Sequence, residues 1–282
     1  MPLRLPGDLR HIAQRHIDRW SDGLTGPDGV PDVAELGRLR VAPDEGFGRR
    51  VADLYERAVR FQCDPDLLER YEIVKLHNRM LYDEVTAAGI TVRPWTRDGQ
   101  PYRDSRDLRG RVVRTGTLEV FLTERGHGPL PGGGADGRDP GHRDAEPRGG
   151  SRRGKGGPEA GGDGGRHPLR GPSGVRAGGV DLQHNDLFRV VHDLFGHVMF
   201  GHTFGPAGEL LAARCQMQLY PRAAWPVVFA EQVGQVCWFY YGPHRALPPG
   251  RRPYPEQKVL AFPDRFLDTF AGLFRRAEEG PP

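Results

Sequence analysis

The stretch NDLFRVVHDLFGHVMF, residues 185–200, combines a helical pattern of apolar side chains with two histidines. Asn185 or Asp186 can cap a helix, and the apolar positions that follow predict that this helix is buried. His192 and His197 lie inside it, and a buried imidazole needs a partner for each ring nitrogen. A metal ion together with a hydrogen-bond acceptor supplies both partners. The stretch therefore favours a metal site within a helical core over the alternative, in which the two histidines are only hydrogen-bonded core or surface residues.

The spacing of the two histidines bears on this prediction. Five residues advance about 500° on an ideal α-helix, which leaves the two side chains about 140° apart. Gly196 would allow the helix to loosen or end between them, so that both could bind one ion. Glu209 and Glu231 follow in apolar surroundings, where a charged carboxylate is costly unless it is paired or bound to a metal. Two imidazoles and one carboxylate leave half of an octahedron open, which suits Fe(2+).

The segment HDLFGHV at 192–198 resembles the iron-binding segment of the pterin-dependent aromatic amino acid hydroxylases. The resemblance covers roughly residues 185–242. It implies that His192, His197 and Glu231 bind iron and that Asp193 belongs to the polar network around it. It also implies dioxygen, tetrahydropterin or another reduced cosubstrate, and a small organic substrate that is aromatic or amino-acid-like. We therefore expect a monooxygenase-like oxidoreductase.

The chain also resembles uncharacterised bacterial and phage proteins that share FRxVHDxFGH, and this resemblance assigns no activity. It implies that Arg189, Glu209 and Gln235 belong to the same polar site. Arg189 is expected to face an anionic group of the substrate, such as a carboxylate. Glu209, Gln235 and His202 are candidates for an outer shell around the ion or for a second metal ion. Mononuclear and dinuclear sites both remain open.

Outward from this stretch, the sequence divides into three regions. Residues 181–282 are expected to form a helical, bundle-like metal-binding region, with helices near 185–200, 206–221, 227–241 and 255–274. Residues 1–124 read as a small α+β lobe with helices near 47–61 and from Asp64 to Gly89, and strands at 90–95 and 117–123. The expected fold class is therefore mainly α with a small α+β part at the N-terminus.

Between these regions, residues 125–180 are rich in glycine and arginine. The stretch GGGADGRDPGHRDAEPRGGSRRGKGGPEAGGDGG has no aliphatic side chain larger than alanine and cannot offset the entropy of ordering. It is expected to be a disordered insert or linker. A frameshifted segment is the alternative, because a GC-rich coding sequence read out of frame gives a similar mixture of residues. The codon-position GC bias of the gene would distinguish the two.

The composition excludes several classes of protein. The 282 residues carry 40 basic and 37 acidic side chains, so the net charge of +3 gives no general affinity for nucleic acid. No apolar run of about 18 residues exists, which argues against a membrane span, and the N-terminus lacks the apolar core of a signal peptide. The three cysteines are odd in number and widely spaced, which favours reduced thiols. We expect a cytoplasmic protein.

Two other functions compete with an iron enzyme. A zinc-dependent hydrolase could use the same two histidines and a glutamate, with Asp193 or Glu209 as its general base. A non-catalytic interaction protein could use the basic, glycine-rich segment as its contact surface, and its binding to a polyanion would weaken steeply with salt. The nearly even charge balance disfavours this second alternative.

Overall fold

The structure, a computed structural model, describes residues 5–21, 32–62, 64–123 and 167–276. These residues form a mainly α structure, as predicted. The α-helices are α1 (Leu5–Ser21), α2 (Val33–Leu36), α3 (Glu45–Arg57), α4 (Pro65–Ala87), α5 (Ser105–Thr115), α6 (His184–Val191), α7 (Pro206–Met217), α8 (Trp225–Phe229), α9 (Gln235–Tyr241) and α10 (Asp264–Ala271). The strands are β1 (Leu39–Val41), β2 (Thr91–Trp95), β3 (Thr117–Phe121), β4 (Pro172–Ala177), β5 (Val180–Gln183) and β6 (Phe274–Arg276).

The strands form three separate two-stranded sheets. β2 and β3 pair in parallel, with Thr91 opposite Thr117, and α5 makes the crossover between them. β4 and β5 form an antiparallel hairpin, whereas β1 pairs antiparallel with β6 from the far end of the chain. The buried apolar residues of both halves belong to one core cluster. The N-terminal α+β part and the C-terminal helices therefore share a core.

Helix α4 begins as its sequence predicts. The Asp64 side chain accepts a hydrogen bond from the backbone N–H of Asp66, and Pro65 occupies the first helical position. The helix ends at Ala87, and Gly89 follows with a φ of 96°. Its buried face presents Tyr71 and Asn78 to the helices of the C-terminal half. Helix α4 therefore supplies polar groups to the site as well as apolar packing.

The structure departs from the sequence prediction in several helices. α1 and α5 were not predicted, because their many charged residues weaken the apolar pattern. α3 stops at Arg57, short of the expected residue 61. The expected helix over 255–274 is reduced to α10, and residues 252–263 are largely irregular because prolines interrupt them.

The end of the predicted glycine-rich insert is also folded. Residues 168–170 form a 3₁₀ turn, and β4 and β5 make a hairpin around Gly178 and Gly179, whose φ angles are 54° and 84°. Leu169 is fully buried and Val175 nearly so, which gives this segment the apolar contacts that the glycine-rich stretch lacks. The boundary predicted at 180 is therefore too late. The rest of the predicted insert lies outside the described residues.

Two helices of the C-terminal half contain π-helical turns. α6 continues directly into a π-helical segment at His192–Val198, called π1 here, and α8 continues through a second one at Ala230–Gly234, called π2, into α9. The start of α6 is fixed by the Asp186 carboxylate, which accepts hydrogen bonds from the backbone N–H groups of Thr123 and Gln183.

Among the described helices, none has the length and apolar character needed to cross a bilayer.

Candidate metal centre

The π-helical turn brings the two histidines of the HDLFGHV segment together. In a π-helix the backbone hydrogen bonds link residues five apart, as the bond from Met199 N–H to the Leu194 carbonyl does at 2.9 Å. Residues five apart therefore lie nearly one above the other, in place of the 140° separation of an ideal α-helix. The Nε2 atoms of His192 and His197 are 3.0 Å apart.

Helix α7 provides a carboxylate to the same point. One carboxylate oxygen of Glu209 lies 3.4 Å from Nε2 of His192 and 3.6 Å from Nε2 of His197. α7 can approach π1 this closely because Gly196 faces Ala212, one turn beyond Glu209. A Cβ on Gly196 would lie only 2.9 Å from the Ala212 Cβ. The glycine therefore sets the separation of the two elements that carry the three groups.

Hydrogen bonds at the other ring nitrogens orient both imidazoles. The Nδ1–H of His197 donates to the backbone carbonyl of His202 at 3.0 Å, and Nδ1 of His192 lies 3.0 Å from the side-chain oxygen of Gln216. With Nδ1 protonated, each Nε2 presents a lone pair to the Glu209 carboxylate. Three electron-pair donors thus face one another, and such an arrangement needs a cation or a proton between them.

The donor set fits a transition-metal ion. Metal–nitrogen and metal–oxygen bonds of about 2.0–2.2 Å require that two ligand atoms on one ion lie no more than about 4.4 Å apart. The separations of 3.0, 3.4 and 3.6 Å meet this requirement. His197 and Glu209 are almost fully buried, whereas the His192 side chain is 20% exposed. A bound ion would therefore remain accessible from one side.

Electrostatics at Glu209 and His197 show an attraction for positive charge at this point. Burial alone would raise the pKa of Glu209, but the two imidazoles lower it to about 2. Burial likewise disfavours the imidazolium of His197, but the Glu209 carboxylate outweighs this effect and raises its pKa. Burial raises the pKa of the neighbouring Asp193 carboxyl group. The Glu209 carboxylate is therefore held ionised beside the two imidazoles.

Glu231, the third ligand expected from the sequence, lies elsewhere in this arrangement. One of its oxygens accepts hydrogen bonds from Tyr71 Oη at 2.7 Å and His167 Nε2 at 2.8 Å. The other accepts from Gln257 at 2.8 Å and Gln235 at 3.2 Å. Burial opposes ionisation, yet the charge of the His167 ring and the hydrogen bonds from His167, Gln257 and Tyr71 lower the pKa of Glu231. Because a carboxylate accepts about four hydrogen bonds, no lone pair is left for a metal ion. Glu209 occupies the expected place instead.

Two residues of the Glu231 network were missed by the sequence analysis. Tyr71 lies within the helix expected from Asp64 to Gly89 and was not singled out, and His167 lies within the expected glycine-rich insert. The nitrogen Nδ1 of His167 accepts a hydrogen bond from the backbone N–H of Leu169 at 3.2 Å, so its Nε2–H points to Glu231. The return of aliphatic residues after Gly165, beginning with Leu169, is the signal that could have placed His167 in the folded part.

The other predicted site residues divide into two groups. Asp193, Arg189 and Gln235 line the same cavity as the histidines. One guanidinium nitrogen of Arg189 donates to the Phe121 carbonyl at 2.7 Å, and the group lies 5.8 Å from the centre of the Phe121 ring. His202 does not join the cluster: its backbone carbonyl holds His197, and its ring lies 3.6 Å from the Cys215 sulfur.

The cluster opens into a cavity of about 220 Å³. Aromatic and polar side chains share its wall, and the three groups of the candidate metal site lie on one part of it. The remaining wall includes Tyr102, Phe121, Asn185, Phe188, Arg189, Asp193, Phe204, Glu231, Gln232, Gln235, Tyr254 and Gln257. This arrangement can hold a small molecule beside an ion bound at the cluster.

The chain matches no known protein-family model, no curated protein and no solved structure. The geometry of the cluster and its cavity is therefore the basis for proposing a function.

Proposed function

We propose that the chain is a mononuclear non-heme iron(II) enzyme that uses dioxygen to hydroxylate or oxidise a small organic substrate. The ligands would be His192, His197 and Glu209. One observation carries the proposal: two imidazole nitrogens and one carboxylate oxygen converge on a point beside a cavity, with both Nδ1 atoms already held by acceptors. Two histidines and one carboxylate with open positions are typical of oxygen-activating iron(II) sites.

Iron(II) would supply the redox chemistry and open coordination positions for dioxygen, with tetrahydropterin or another reduced cosubstrate as the source of electrons. The protein's own side chains would bind the substrate, limit the access of water and hold a proton. Arg189 is placed to bind an anionic group of the substrate, and its hydrogen bond to the Phe121 carbonyl fixes its orientation. Phe188 and Phe204 line the wall and limit the access of water. Asp193 would hold a proton or orient a bound water.

The cavity restricts the substrate. A volume of about 220 Å³ is suited to a small molecule of roughly one or two rings. Its aromatic wall favours a substrate with a flat or apolar part, and Arg189 favours a substrate that carries a carboxylate or a similar anionic group. These features support a substrate that is aromatic or amino-acid-like.

The test uses protein prepared without oxygen, made metal-free and loaded separately with iron(II) or with zinc(II), because a site of this kind binds zinc(II) more tightly than iron(II) whatever its function. The proposal expects one iron per chain, and oxygen uptake that depends on a reduced donor and an aromatic acid. The variant His197→Ala should lose the metal, whereas His11→Ala, which changes an exposed histidine of α1, should bind as the wild type does. Equal iron content in wild type and His197→Ala would contradict the ligand assignment.

A zinc-dependent hydrolase is the second candidate, and one observation favours it. The Asp193 carboxyl group lines the cavity next to a ligand set of two histidines and a glutamate, which zinc hydrolases also use. A carboxylate beside a zinc-bound water serves as a general base. This candidate expects hydrolysis of activated esters or amides by the zinc form, and no oxygen uptake by the iron form.

A further inference from the structure

We propose that Gln216, Tyr220 and Asn78 are positioning residues that fix which nitrogen of His192 carries its proton, and thereby prepare the metal centre. The inference rests on the proposed metal-binding function of the cluster. It concerns three fully buried residues that belong neither to the candidate metal site nor to the wall of the cavity. They connect His192 to helix α4, on the far side of α7.

The connection is an unbroken chain of hydrogen bonds. Nδ1 of His192 lies 3.0 Å from Gln216 Oε1, and Gln216 Nε2 donates to the Tyr220 hydroxyl at 3.0 Å. The Tyr220 hydroxyl in turn donates to Asn78 Oδ1 at 2.6 Å. Gln216, Tyr220 and Asn78 each have no measurable exposure. Water therefore cannot replace a bond that is lost, and each missing bond leaves an unsatisfied buried group.

The hydrogen bonds of this chain run in one direction, from His192 through Gln216 and Tyr220 to Asn78. Asn78 Oδ1 accepts the hydroxyl proton, so the Tyr220 oxygen is an acceptor for Gln216 Nε2–H. That contact fixes the orientation of the Gln216 amide and directs its oxygen at the His192 ring. A carbonyl oxygen only accepts, so Nδ1 of His192 must donate. The lone pair of Nε2 then faces His197 and Glu209, as a metal ligand requires.

A neighbouring side chain, Gln232, could hold the His192 ring with its proton on the other nitrogen. The hydrogen bonds through Gln216 matter because they oppose that alternative. Gln232 Nε2 lies 3.1 Å from His192 Nδ1 and also contacts Gln216 Oε1. If the Gln216 amide turned away, the Gln232 amide could donate to Nδ1, and the proton of His192 would move to Nε2, where a metal cannot bind. The anchored Gln216 therefore selects between two protonation patterns of one imidazole.

The experiment compares Tyr220→Phe and Gln216→Met with the wild type. Tyr220→Phe removes only the hydroxyl that orients Gln216. The first measurement is the protonation pattern of His192 in metal-free protein, read from nitrogen-15 chemical shifts of the ring. The second is cobalt(II) affinity by optical titration. We expect a shift toward the Nε2–H form and a 10- to 100-fold loss of affinity, the range typical when a partner of a metal-binding histidine is removed.

Tyr55→Phe is the matched control, because it also removes a buried hydroxyl, one that donates to the Glu256 carbonyl at 2.8 Å. It should leave the His192 signals and cobalt affinity unchanged. The double variant Gln216→Met/Tyr220→Phe should bind no more weakly than Gln216→Met alone, because Tyr220 acts through Gln216. An unchanged protonation pattern in Tyr220→Phe, with wild-type affinity, would overturn the inference. Absence of cobalt binding by the wild type would instead overturn the proposed function.

Discussion

A single methyl group at Gly196 should separate the two elements that carry the three groups of the candidate metal site. In Gly196→Ala the new Cβ would lie 2.9 Å from the Ala212 Cβ. Carbon atoms in contact prefer about 3.5–4.0 Å, so π1 and α7 must move apart by about 0.6–1.1 Å. Metal sites tolerate deviations of about 0.2 Å in ligand distances. Because Glu209 lies one turn from Ala212, the shift should draw its carboxylate away from the imidazoles.

The expected result is at least a tenfold loss of cobalt(II) affinity with little loss of stability. Overpacking costs roughly 1–3 kcal/mol, and the better helix propensity of alanine returns about 1 kcal/mol. The net change in the free energy of unfolding is then about 0–2 kcal/mol, measured by denaturant unfolding of the metal-free protein. Optical titration with cobalt(II) measures the affinity.

Two further variants make this test selective. Gly110→Ala in α5 adds a methyl group that meets nothing within 4 Å, so it should leave cobalt affinity unchanged and raise stability slightly. Ala212→Gly added to Gly196→Ala removes the clashing Cβ and should restore most of the affinity. Wild-type affinity in Gly196→Ala, or failure of Ala212→Gly to restore a lost affinity, would refute the proposed role of this contact.

Three more predictions concern the two buried glutamates, the buried Lys258 and the buried pair of His16 and His77. Glu209→Gln should weaken metal binding at least tenfold, as measured by metal titration. Glu231→Gln should leave metal binding unchanged but lower the free energy of unfolding by roughly 3 kcal/mol, as measured by denaturant unfolding, because it removes the charge of a buried carboxylate whose oxygens are fully hydrogen-bonded. Lys258→Met should cost about 1–3 kcal/mol without changing metal affinity, since the ammonium group satisfies three carbonyls near the end of α3. Burial lowers the pKa values of His16 and His77 to about 4, so between pH 6.5 and 4 the unfolded chain binds more protons than the folded chain does. The free energy of unfolding should therefore fall as the pH drops through that window. The fall should be less steep in a His16→Gln variant.

The sequence predicted the elements whose signals are local. Asp64 and Pro65 mark the start of α4, and the alternation at 90–95 marks β2, because caps and periodic patterns act within a few residues. The sequence also identified the histidine pair, and it gave a looser helix at Gly196 as the condition under which both histidines could bind one ion. The structure has a π-helical segment there.

The choice between the two glutamates could not be made from local signals. Glu209 and Glu231 both lie in apolar helices, and their roles depend on which partners tertiary packing brings to each. Glu231 is satisfied by His167, Tyr71 and Gln257, which are distant in sequence. The spacing derived from the resemblance favoured Glu231, and only the packing of α7 on π1 favours Glu209.

The two π-helical turns carry an evolutionary consequence. Each has one more residue per turn than the α-helix around it, as a single-codon insertion into an ordinary helix would produce. Removing one residue from within 193–196 would restore regular winding and place the histidines four apart, on a different face relative to α7. A shortened chain of this kind should unfold at a higher temperature than the parent, while its imidazoles would approach Glu209 from a different direction. The irregular winding would then be kept in evolution only if the present arrangement of the three groups has a function.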